Sequence, residues 1–140
     1  REIIGVEMVP AMVTLASKAT HAERPLFDRL ITADITALPA TLPPAHVDLA
    51  LLVNVSPYLG ALDTLFAHVA RLLTPEGILA LTLEPFSGPG YGLVAATGRF
   101  GHSSTYVTET AARAGLRLRR EGTLALYPNT PITALVFGNA

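Results

Sequence analysis

The sequence has no cysteine and no tryptophan, its aromatic share is 6%, and only 15% of its positions are charged. Without cysteine there is no disulfide, no thiol nucleophile and no thiolate metal ligand. Neither sign of charge prevails, with 10 Lys and Arg against 11 Asp and Glu for a formal net charge of −1. With no basic run, neither nucleic acid nor an anionic membrane surface is indicated as a partner. No apolar stretch approaches the roughly 20 residues that span a bilayer. No signal peptide is visible, so the default reading is a soluble cytoplasmic domain. What is abundant is apolar surface: 50% of the 140 residues are hydrophobic, enough for the core of one domain.

Along the chain, strand-like runs and helical periodicity alternate. Residues 2–6 are a short apolar run ending at Glu7 and read as a strand. Pro10 suits the first turn of a helix, where its missing N–H costs nothing. Met12, Leu15, Ala16 and Ala19 then fall on one face. Residues 28–33 read as a second strand closed by Asp34, and residues 36–46, with three prolines, as a loop. Residues 47–55 (VDLALLVNV) are the most continuously apolar run, which predicts a strand buried on both faces. Leu62, Leu65, Phe66, Val69, Leu72 and Leu73 outline an amphipathic helix with Asp63 in its first turn and Gly77 as its stop. A strand over 78–83, a Gly-rich loop over 85–102 and a helix from Ser103 or Ser104 to Gly115 follow. Strands at about 116–127 and 132–138 close the chain. Their connection, Pro128-Asn129-Thr130-Pro131, is far too short for a parallel crossover, so that pair must be antiparallel. The order predicts a single α/β domain over residues 1–140: a doubly wound, mainly parallel sheet with a C-terminal antiparallel hairpin.

The blocks GVEMVPAMVTLASKA, ITADITALP, HVDLALLVNVSPYL, a helix closed by LLTPEG, and ILALTLE follow one another in this chain. In that order and spacing, with the closing hairpin, the chain resembles a class I S-adenosylmethionine-dependent methyltransferase from that family's second strand to its C-terminus. The segment GYGLVAATGRFGHSSTYV further resembles a subset fused to tetratricopeptide repeats. The resemblance implies a Rossmann-like fold, S-adenosyl-L-methionine as cofactor, and methyl transfer to a small-molecule or protein acceptor. It also implies that the family's central first strand and its glycine loop precede GVEM. On that reading the domain is N-terminally incomplete, an upstream segment of the same protein completes the sheet, and the chain alone binds cofactor poorly and associates.

Ligands of doubly wound sheets sit beyond the carboxyl ends of the strands. Glu7 ends the first strand there and is suited to accept hydrogen bonds from two ribose hydroxyls; the alternative is a solvated rim acid. Met8 is either a core methionine or a polarisable surface for an adenine face. The resemblance gives Asp34 the adenine amino group and the Ile35 N–H a ring nitrogen, against a simple turn cap at Thr36. It places Asn54 and Val55 at the methionine end of the cofactor, with Ser56 and Tyr58 at the mouth. Gly88, Gly90 and Gly92 make a G-x-G-x-G pattern, but no acid stands at a following strand end, so they read as part of a mobile substrate-side loop. Groups eligible as a base for the acceptor's proton are Glu84, Tyr58 and His102, with His102 equally a loop-packing residue. His21, His46 and His68 are scattered, so no metal site is expected. A non-catalytic degenerate methyltransferase-like module and a nucleotide-binding oxidoreductase fragment are the alternative readings.

Overall fold

The structure, a computed structural model describing residues 2–40, 42–127 and 130–140, divides into two units, Arg1–Thr41 and Leu42–Ala140. In the first, β1 (Ile4–Glu7) runs parallel to β4 (Arg29–Thr32), with Ile4 opposite Arg29 and Glu7 opposite Thr32. Gly5 permits this pairing, since a Cβ there would stand 2.7 Å from the Leu30 side chain. The helix α1 (Pro10–Ala16) begins at its proline as the sequence predicts. Its apolar face is uncovered: α1 buries no side chain, and Met12 and Leu15 are 49% and 60% exposed. Between α1 and β4 lies a hairpin the sequence did not announce, β2 (Thr20–His21) with β3 (Arg24–Pro25). Its turn residues, Ala22 and Glu23, carry none of the usual turn chemistry although both have positive φ, 49° and 64°. After β4 the chain forms a 3-10 helix, Ile35–Ala40, within the stretch expected as a loop.

The second unit is built on a four-stranded mixed sheet. β5 (Val47–Leu52) leads through a short 3-10 helix, Ser56–Tyr58, into α2 (Asp63–Leu72) and β6 (Leu73–Leu83). β7 (Tyr91–Val94), β8 (Arg99–His102), α3 (Ser104–Arg113), β9 (Leu116–Tyr127) and β10 (Thr130–Asn139) complete it. The strand order is β5-β6-β10-β9, with β5 parallel to β6 and the other pairs antiparallel. The closing pair is antiparallel as its connection length requires; Pro128 and Asn129 themselves lie outside the described residues. One face of the sheet is a dense core. Leu79, Leu81, Leu83, Leu135 and Phe137 are buried together with Leu65, Phe66 and Val69 of α2 and Val107 and Ala111 of α3. The Phe66 and Phe137 rings meet at 6.1 Å. Each such side chain contributes about 1.5–3 kcal/mol by leaving water.

The other face corrects an expectation. β5 is not buried on both sides: Leu49, Leu51 and Val53 are 53%, 61% and 51% exposed, and Ile78, paired opposite Leu49, is 42% exposed. Successive side chains of a strand point to opposite faces, and the helices of this unit, α2 and α3, pack together over the first face. The strand also stops at Leu52, three residues short of its expected end, because Val53 and Asn54 turn.

The Gly-rich segment is a hairpin rather than a loop, with Tyr91 opposite His102 and Val94 opposite Arg99. A Cβ at Gly88 or Gly92 would stand 2.7 or 2.6 Å from the Phe86 ring, and one at Gly101 would stand 3.1 Å from the Phe86 Cβ. The outer two glycines of G-x-G-x-G therefore make room for a ring, while Gly90 between them meets no atom and serves a positive φ of 73°. Helix α3 is capped as expected: Ser103 Oγ accepts from the Tyr106 N–H at 3.3 Å, and Gly115, at φ 83°, follows its end.

Candidate functional site

β1 and β4 run in the same direction and are neighbours, so their carboxyl ends share one rim. Glu7 is the last residue of β1, and its carbonyl accepts from the Ala33 N–H at 3.1 Å, which brings Asp34 beside it in the chain. Glu7 Oε1 accepts from the Val9 N–H at 2.8 Å. Asp34 Oδ1 accepts from both the N–H and the hydroxyl of Thr36, at 2.8 and 2.7 Å. These two donors hold the Asp34 carboxyl below the usual carboxylate range, so it is ionised at neutral pH. The turn cap weighed for Asp34 is thus present, but it occupies one oxygen. Oδ2 of Asp34 and Oε2 of Glu7 have no hydrogen bond among the described residues. Ile35 opens the 3-10 helix, where the first N–H groups lack intrahelical acceptors. Met8 is 63% exposed next to Glu7 and is no core residue.

In the second unit the parallel pair β5–β6 has its own carboxyl rim. Asn54 turns the chain there with φ 57°, a left-handed conformation that asparagine tolerates better than most residues. Its N–H donates to Thr82 Oγ1 at 2.9 Å, and Ser56 Oγ donates to the Thr82 carbonyl at 2.8 Å. Thr82 therefore pins the β5 exit to β6. Its signal in the sequence was a hydroxyl inside an otherwise aliphatic strand, ILALTL. Val55 carries the carbonyl that accepts from the Tyr58 N–H at 3.1 Å.

Tyr58 and Glu84 are linked through the β7–β8 hairpin. Tyr58 is 63% exposed, and the Arg99 guanidinium lies 5.4 Å from its ring centroid. Glu84 Oε1 accepts from the Thr97 hydroxyl at 2.6 Å, and Thr97 Oγ1 in turn accepts from the Arg99 N–H at 3.3 Å. His102 donates its backbone N–H to the Glu84 carbonyl at 2.9 Å, but its ring is buried. It is 1% exposed, its Nε2 donates to the Gly60 carbonyl at 2.9 Å, and its Nδ1 is buried without a partner among the described residues. Burial pushes its pKa below the ordinary histidine value, with the carbonyls of Gly60 and Leu59 opposing. The ring stacks with Tyr106 at 6.1 Å and lies 5.8 Å from Tyr91. Tyr106 in turn accepts from the Leu62 N–H at 3.0 Å. This is the loop-packing geometry, in which His102 and Tyr106 fasten the chain between the 3-10 helix and α2. Among the described residues no helix is long and apolar enough to cross a membrane.

The profile of a family described as methyltransferase domain matches residues 1–81. No curated protein sequence matches. Among solved structures, an S-adenosylmethionine-dependent methyltransferase from Leishmania major superposes with a TM-score of 0.75 at 21% identity, covering 96% of this chain and 54% of its own. The 1,6-didemethyltoxoflavin-N1-methyltransferase of Burkholderia thailandensis, solved with S-adenosylhomocysteine, gives 0.71 at 18%, covering 100% and 62%. The [4+2]-cyclase SpnF gives 0.75 at 17%, covering 99% and 66%. The chain therefore spans a little over half the length of the first two structures, and their fold is its fold, a partial Rossmann-like one. That a cyclase shares it shows that fold alone does not set the reaction.

Proposed function

The chain belongs to the methyltransferase domain family, and from that premise we propose that it binds S-adenosyl-L-methionine and serves methyl transfer to an acceptor. The observation that carries the reading is the pair of acids on the β1–β4 rim, Glu7 and Asp34, each with one oxygen open. That donor set fits an adenosine. Glu7 accepts from the ribose hydroxyls, Asp34 from the adenine amino group, and the Ile35 N–H donates to a ring nitrogen. Met8 lays its exposed thioether against the base.

When bound, the cofactor supplies a methyl group on a sulfonium, and displacement there needs alignment more than protein functional groups. Tyr58 and Glu84 are the acceptor-side groups, with Glu84 placed to take the acceptor's proton. His102 is a positioning residue that acts through Gly60. A small molecule is the acceptor class favoured by the Burkholderia relative. β1 pairs only with β4 and β5 only with β6 among the described residues.

Isothermal titration of the full-length protein with S-adenosylhomocysteine tests the reading. Charge-assisted bonds contribute roughly 1.5–3 kcal/mol each, so Glu7→Ala should weaken binding at least about tenfold. Unchanged affinity in that variant would remove Glu7 from the site, and preferential binding of a nicotinamide dinucleotide would replace the reading with an oxidoreductase.

A further inference from the structure

Arg99 is an isolated cation held in one place. Its backbone N–H is bonded to Thr97 Oγ1 at 3.3 Å, and its guanidinium sits 5.4 Å above the centroid of the Tyr58 ring. No hydrogen bond or ion pair to that guanidinium occurs among the described residues, and the side chain is exposed. The nearest acid in this network, Glu84, is taken up at 2.6 Å by the Thr97 hydroxyl rather than by the arginine. An ordinary surface arginine sweeps through many rotamers; this one is restrained at its backbone and at its head, with its fork of donors unspent.

Its position gives the restraint a use. Tyr58 follows the carboxyl end of β5, Glu84 follows that of β6, and Arg99 reaches from the hairpin over the Tyr58 ring. Ligands of parallel α/β sheets bind beyond those carboxyl ends. A planar guanidinium matches the two oxygens of a carboxylate or phosphate, which it engages in paired, charge-assisted bonds. We propose that Arg99, seated on Tyr58, grips an oxyanion, a carboxylate or a phosphate, of the methyl acceptor. This rests on the methyl-transfer reading and names the substrate class for the same site. Acceptors bearing such a group are selected, and neutral isosteres are turned away.

The test titrates the full-length protein with benzoate, phenyl phosphate and the neutral isostere benzamide, reading the Arg99 Nε–Hε and Tyr58 ring resonances by NMR. At least one anion should shift both sets saturably, and which one responds tells carboxylate from phosphate; benzamide should shift neither. Arg99→Gln should weaken the anion about tenfold or more, and Arg99→Lys, which keeps the charge but loses the fork, by less. S-adenosylhomocysteine affinity, measured on the same samples, should stay within about twofold of the parent in both variants, since neither touches the β1–β4 rim. Equal response to benzamide, no response to either anion, or unchanged anion affinity in both variants would overturn the proposal. Anion binding at Arg99 with no S-adenosylhomocysteine binding in the parent would leave the oxyanion grip standing and sink the methyl-transfer reading instead.

Discussion

The two units hold comparable chemistry on very different foundations. The first carries Glu7 and Asp34 on a two-stranded parallel sheet whose α-helix, α1, buries no side chain. The second carries Tyr58, Glu84 and Arg99 on a four-stranded sheet with two helices and a core of fully buried leucines and phenylalanines. Parallel strands ordinarily sit in sheets covered on both faces, and a lone two-stranded sheet is marginal in water. The first unit thus sets its two acids on little packing of its own, while the second sets its polar groups on a dense core.

The largest effects should separate the units by core substitution. Phe137→Ala removes a fully buried ring in contact with Phe66 and should cost about 3–5 kcal/mol of unfolding free energy. Leu15→Ala, at a side chain 60% exposed on α1, should cost less than about 1 kcal/mol. Urea titration of both variants checks this. A large loss in Leu15→Ala would show that α1 is covered in solution and would erase the contrast.

A smaller effect tests the fastening of the second unit. The His102 pKa lies below its ordinary value because burial disfavours the cation, so the unfolded chain takes up the proton first. The His102 contribution is therefore complete above the ordinary histidine value of 6.5 and is lost as pH falls below it, until the lowered folded value is reached. The slope in that window is at most about 1.4 kcal/mol per pH unit. Asp63, held low by its bond to Arg113, contributes only at more acidic pH. His102→Gln keeps a donor for the Gly60 carbonyl and should flatten the fall of stability below pH 6.5 relative to the parent. Parallel profiles for the two proteins would mean that His102 is hydrated in solution.

Next comes the β5 exit. Asn54 occupies left-handed backbone, where alanine pays roughly 1–2 kcal/mol and glycine almost nothing. Asn54→Ala should lower stability by about 1 kcal/mol, and Asn54→Gly should be near neutral. Thermal melts of the pair separate backbone geometry from side-chain recognition. A large loss in both would show that the Asn54 amide itself is required.

These particulars also show what was legible in the sequence. The main helices and strands, the antiparallel closing pair, the Ser103 cap and the core of α2 were readable, because periodicity and connection length act locally. Besides the β2–β3 hairpin, three things were not. VDLALLVNV is apolar but for Asp48 and Asn54, and a sequence cannot say that only one of its faces is covered. The glycines near Phe86 imitate a phosphate loop because close approach of a ring and of a phosphate both demand a missing Cβ. Arg99 and Thr97 lay in a segment read only as a mobile Gly-rich loop, since the contacts that give them meaning, to Tyr58 and Glu84, span 41 and 13 positions.

The smallest effect lies in the hairpin β2–β3, and it bears most directly on the comparison. Its two turn residues, Ala22 and Glu23, both sit at positive φ, the conformation of a type I′ turn, which asparagine followed by glycine adopts most readily. Each present residue pays for that backbone with a Cβ in the wrong place. The double substitution Ala22→Asn, Glu23→Gly should relieve the strain and stabilise the hairpin by about 1 kcal/mol. Hydrogen exchange then tells where the gain goes. If the first unit opens on its own, protection should rise by roughly fivefold at the amides of Ile4–Glu7 and Arg29–Thr32 while those of β6 and β10 stay unchanged. If the two units unfold together, the gain should appear in the single melting transition of the whole chain. A fall in protection, or none of these changes, would mean that the left-handed turn is not the conformation this hairpin holds in solution.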